Sequence, residues 1–111
     1  MKFPHDSDGE VLNRLYQDGF EFSLPTTIEF MVDFNSWPPP DKAIYALQSE
    51  FGALEFYQPE DDCLGYVLFT ISDILSYELV INTQAKASDL AQEFDGVCEA
   101  WGVFIDPYTL N

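Results

Sequence analysis

Positive charge is what this sequence lacks most. Lys2, Arg14, Lys42 and Lys86 are its only basic side chains, set against twenty carboxylates, for a formal net charge of −16. Phosphate backbones and anionic membrane surfaces repel such a chain, which disfavours direct nucleic-acid or lipid binding. Cysteine is scarce too. Cys63 and Cys98 make no Cys-x-x-Cys pair, and two thiols build neither a disulfide framework nor a zinc site. The single histidine, His5, stands beside Pro4 near the terminus, away from any partner that would position a general base. No apolar run is long enough to cross a bilayer, and the opening MKFPHDSDGE reads as neither a signal peptide nor a transit sequence. Together these features lead us to expect a protein of the reducing cytoplasm.

Chemical motifs are equally thin. There is no glycine-rich phosphate loop, nucleophile elbow or paired-histidine motif. Asp6-Ser7-Asp8-Gly9-Glu10 has the acidity of a calcium loop but not its glycine and glutamate spacing, so it reads as a helix-capping turn. Glu99 beside Cys98, and Asp61 and Asp62 before Cys63, oppose a reactive thiolate. We expect no catalytic residue, cofactor or metal ligand, and no enzyme.

What the chain does contain is enough to fold. Of its 111 residues, 47% are hydrophobic and 16% aromatic, far too apolar for a disordered acidic tail. The length supports one domain over residues 1–111. Asp8 to Gly19 reads as a short helix, with Asp8 as N-cap and Gly19 as its stop. Thr26 to Phe34 alternates as a half-buried strand, with Ile28, Phe30, Val32 and Phe34 on one side. After the Trp37–Asp41 break, Ala43, Ile44, Leu47 and Phe51 form a helical stripe ended by Gly52. Leu54–Gln58 and Gly65–Ser72 read as strands. Val80, Thr83, Ala87, Leu90 and Phe94 keep the 3-4 spacing of a helix that stops at Gly96. Trp101–Ile105 supplies a last strand, closed by Pro107.

The resulting order after the first helix is β-α-β-β-α-β. It predicts an α+β, ferredoxin-like domain, with a four-stranded antiparallel sheet and two helices on one face. The uncovered face is then a natural place for a partner or for a second copy of the chain. An RNA-binding platform of the same outline needs Lys and Arg beside its aromatics, which this chain does not have.

Two stretches carry a resemblance. Asp18-Gly19-Phe20-Glu21-Phe22-Ser23-Leu24-Pro25-Thr26-Thr27-Ile28-Glu29-Phe30 resembles the run into the first strand of the regulator of ribonuclease activity B (ribonuclease E inhibitor) family. Glu93-Phe94-Asp95-Gly96-Val97-Cys98-Glu99-Ala100-Trp101-Gly102 is similar to that family's glycine-ended helix followed by Tyr-Asp-Gly-Trp-Gly. Trp101 and Gly102 are identical there, Glu99 keeps the acid, and Cys98 and Ala100 depart. The resemblance implies a regulator of RNA decay that binds ribonuclease E through its non-catalytic region without touching RNA. A basic protein partner also follows from the charge.

Glu60, Asp61, Asp62, Glu99 and Trp101 are the partner-binding candidates. Trp101 is of the residue type that anchors interfaces, but it serves equally to pack the last strand on a helix, with Gly102 permitting close approach. Two alternatives stand beside the regulator. One is a dimeric enzyme or ligand-binding domain with a cavity lined by Phe30, Phe56, Tyr66 and Phe69. The other is a nucleic-acid mimic whose carboxylates are spaced like phosphates.

Overall fold

Asp6 begins the fold by capping the first helix. In the computed structural model, which describes residues 3–103, its carboxylate accepts from the Gly9 N–H at 2.7 Å, and α1 runs Ser7–Gln17. The cap is therefore Asp6 rather than Asp8, whose side chain is used elsewhere. Gly19, at φ 88°, ends the turn that follows, a left-handed conformation glycine takes without a Cβ clash.

Alternation decides β1, Pro25–Phe34. Ile28, Phe30, Val32 and Phe34 are buried while Glu29, Met31 and Asp33 between them are partly exposed. Pro40 precedes α2, Asp41–Phe51, and Gly52 at φ 88° stops it. The short β2 spans Glu55–Tyr57, and β3 spans Gly65–Ile74. Ser76 caps α3, Tyr77–Ala91, by accepting from the Leu79 N–H at 3.1 Å.

The end of that helix differs from the expectation. A 3-10 turn over Gln92–Phe94 follows, and Asp95 at φ 61° is the left-handed residue. Gly96 is already the first residue of β4, Gly96–Val103. The expected stretch beyond Val103, including Ile105 and Pro107, lies outside the described residues. The strand starts five residues earlier than its sequence suggests because a bulge breaks the alternation. Val32 faces Cys98 and Met31 faces Ala100, leaving Glu99 without a cross-strand partner.

The strand order is β2-β3-β1-β4, with every neighbouring pair antiparallel. The connection β1-α2-β2 straddles β3, and β3-α3-β4 straddles β1, so two β-α-β units interleave in one sheet. The described residues thus form an α+β fold of three α-helices and a four-stranded antiparallel sheet. One face of the sheet is closed: Leu12 of α1, Ala43 and Leu47 of α2, and Val80, Ala87 and Ala91 of α3 join Ile28, Phe30, Val32, Phe34, Val67 and Phe69 in a single core. Phe69 stacks on both Phe51 and Phe30, at 4.0 and 5.4 Å between ring centres.

Candidate functional surface

The expected aromatic cavity does not form, because the four rings go to different places. Phe30 and Phe69 are sealed in the core, Phe56 is an exposed edge residue, and Tyr66 points to the opposite face of the sheet. Shallow grooves are found among the described residues instead, two of them beside the helices. One, of about 450 Å³, lies between Phe51, Thr70, Ile71 and Thr83, with the Lys86–Glu50 ion pair at its rim. The other, of about 560 Å³, lies between α1, α3 and β4 and is lined by Asp8, Gln84, Ser88 and Cys98 among others.

Asp8, Gln84 and Ser88 of the second groove are spent on the fold. Asp8 accepts from Trp101 Nε1 at 2.9 Å with one oxygen and from Gln84 Nε2 at 3.1 Å with the other. One carboxylate thus ties α1 to α3 and β4. Ser88 Oγ accepts from the Cys98 N–H at 2.9 Å, holding α3 against the bulge. Burial, then the nearby Asp33, Asp8 and Glu99 carboxylates, push the Cys98 thiol up to about 12, so it stays protonated at neutral pH. Cys63 is exposed. Among the described residues, no cluster of three His, Cys, Asp or Glu side chains could hold a metal ion, and no helix is long and apolar enough to cross a membrane.

Trp101 is half-buried, with its ring on the core side opposite Phe30 and its N–H on Asp8. The structural reading of Trp101 therefore has a bond behind it. Gly102 plays no part in it, because a Cβ there would meet nothing within 4 Å. Glu60, Asp61 and Asp62 are all exposed on a tight turn in which Glu60 and Cys63 exchange backbone hydrogen bonds and Asp61 takes φ 50°. Glu99 is exposed at the bulge. The structure does not bring these five residues together: the acidic turn follows β2, whereas Glu99 and Trp101 lie on β4 at the other edge of the sheet.

The surface between them is the uncovered sheet face expected as a place for a partner, but the residues that line it were not among the partner-binding candidates. On the face away from the helices, the register sets side chains in cross-strand rows. Tyr57, Tyr66, Asp33 and Val97 form one row. Glu55, Leu68, Met31 and Ala100 form the next, and Thr70, Glu29 and Gly102 the third. Leu68, only 8% exposed, is buried outside the helix-side core. Around it stand Glu29, Asp33 and Glu55. Tyr57 and Tyr66 stack at 4.8 Å with planes 13° apart, and the Tyr57 hydroxyl donates to Glu55 at 3.1 Å. That bond, followed by the charge of Glu55 itself, raises the Tyr57 pKa. Partial burial, followed by the Glu99 charge, holds the Asp33 carboxyl above its usual range. None of the four strands contains a lysine or arginine. The outward acids of β1, Glu29 and Asp33, were legible from its alternation, whereas their cross-strand neighbours follow only from the register.

A family model described as regulator of ribonuclease activity B matches residues 5–103. Among curated proteins, none matches the chain.

Proposed function

The chain belongs to the regulator of ribonuclease activity B family, and from that premise we propose that it regulates RNA decay by binding ribonuclease E or a related RNA-processing ribonuclease, making and breaking no bond itself. The observation that carries this reading is the distribution of charge. Among the described residues, Arg14 and Lys42 are exposed on helices and Lys86 is paired with Glu50, so the strands carry no cation beside Glu29, Asp33, Glu55 and Glu99. An unneutralised anionic surface on a folded domain attracts a basic protein segment and accelerates encounter with it.

Glu60, Asp61, Asp62 and Glu99, exposed at the two edges of the sheet, supply steering charge in this reading, and each contributes little alone because water screens it. Trp101 acts indirectly, by keeping β4 fixed to α1 through Asp8. Occlusion of the ribonuclease's RNA-binding segments, or altered assembly on them, is the mechanism, and the setting is the cytoplasm. The test is retention of purified ribonuclease E on the immobilised protein, using the full-length enzyme and its catalytic half alone. Retention of the full-length enzyme only is the expected result. Retention of neither, or degradation of RNA by the protein itself, contradicts the proposal.

A further inference from the structure

We propose that the helix-free face of the sheet is the docking surface, and that its occupant is an arginine-bearing segment whose guanidinium packs on the Tyr57–Tyr66 stack beside Glu55. This rests on the partner reading above and names the surface and the side chain it takes. Three observations converge on it. Tyr57 is 41% exposed although its ring is fixed by Tyr66 and by its bond to Glu55, so a flat aromatic surface is held ready at the sheet edge. The neighbouring row gives Leu68 and Met31, an apolar strip against which an arginine's methylene stem lies. Glu29, Asp33 and Glu55 then stand round that strip, with no lysine or arginine on the four strands of the sheet.

Guanidinium is the cation that fits this combination. It stacks on aromatic faces, is weakly hydrated, and pairs with a carboxylate in the same plane, whereas ammonium is a strongly hydrated point charge. Other occupants fit worse. A second copy of the chain would set these three carboxylates against their own duplicates, and RNA would set them against phosphates. Asp33, whose carboxyl burial and then the Glu99 charge hold above its usual range, gains a counter-charge when a cation arrives.

The test titrates the intact protein with oligoarginine and oligolysine of equal length, and with the basic non-catalytic segment of ribonuclease E. Oligoarginine is expected to bind about three-fold or more tightly than oligolysine. Tyr57→Ala removes that preference while Tyr57→Phe keeps it. Combined Glu29→Gln and Glu55→Gln weakens both peptides by about ten-fold, and more than Glu60→Gln with Asp61→Asn and Asp62→Asn does. Equal affinity for the two peptides, a preference that survives Tyr57→Ala, or a larger loss from the acidic turn overturns the docking surface. Self-association of the protein that Glu55→Gln strengthens overturns it as well, because the face then takes a second copy. If the ribonuclease segment binds wild type and Tyr57→Ala equally, this surface fails and the partner reading stands. If oligoarginine binds as described but the segment does not, the partner reading fails and the surface stands.

Discussion

The two faces of this sheet are built from the same strands and do opposite things. Toward the helices, β1 offers Ile28, Phe30, Val32 and Phe34, each at most 1% exposed, to helix residues that seal them completely. Toward the other side the same strand offers Glu29, Met31 and Asp33, all of them partly accessible, and among the described residues neither carboxylate is paired with a cation. Side-chain alternation makes this division possible, because each backbone step reverses the direction a residue points. Stability therefore resides in one set of positions, and the proposed docking surface in the set between them.

Substitutions at adjacent positions test that separation. Phe30→Ala empties a ring from the closed core and should cost about 3–5 kcal/mol in urea denaturation. Its neighbour Met31→Ala should cost about 1 kcal/mol, since only part of that side chain leaves water on folding. Comparable losses at the two positions would show that the second face is also a core.

Glycines draw the same line. A Cβ at Gly96 would lie 2.6 Å from Phe34 Cε1 and 2.8 Å from the Ala91 Cβ. Gly96→Ala should therefore destabilise by about 1–3 kcal/mol through overpacking. Gly102→Ala, where a Cβ meets nothing, should stay within about 0.5 kcal/mol of wild type by the same measurement.

Trp101→Phe keeps the ring on the core side but removes the donor to Asp8, and should cost about 1–2 kcal/mol. Its affinity for a basic segment should stay at the wild-type value when binding is measured well below the unfolding transition. A loss of affinity without a loss of stability would make Trp101 a direct anchor instead.

The smallest expected effect is of opposite sign. Asp33 has a folded-state pKa above its unfolded one, so its ionised form opposes folding, and stability from this group grows as pH falls through the raised value. Asp6 works the other way. The Tyr77 hydroxyl, followed by the Gly9 N–H, lowers its pKa, and the stability it gives above pH 3.8 is lost as pH falls through the depressed value. Asp33→Asn should raise stability at neutral pH by no more than about 0.5 kcal/mol, because water screens a partly exposed carboxylate, and should remove the gain that otherwise comes as pH falls through the raised value, followed by thermal unfolding.

Much of the closed face was legible in the sequence. The alternation of β1, the stripe of Ala43 and Leu47, and the stripe of Val80, Thr83 and Ala87 each follow from a single periodicity, and all fall where the pattern puts them. The start of β4 was not legible, because the bulge at Glu99 puts two exposed residues in succession and disguises a strand as a polar turn. Asp8 was misread for a different reason. Two acids two residues apart can each cap a helix, and only the distant partners Gln84 and Trp101 show which is free to do so. The uncovered face was anticipated, but the residues that make up its surface were hidden in the same way. Tyr57, Tyr66, Asp33 and Glu55 come from three strands, and their adjacency depends on cross-strand register, to which local pattern gives no access.

Ionic strength gives the most direct test that an anionic surface captures a cationic ribonuclease segment. Calorimetric titration of the basic, non-catalytic part of ribonuclease E into this protein should show affinity falling by at least about ten-fold as salt rises from roughly 0.05 to 0.5 M. Affinity that stays level across that range would contradict the account.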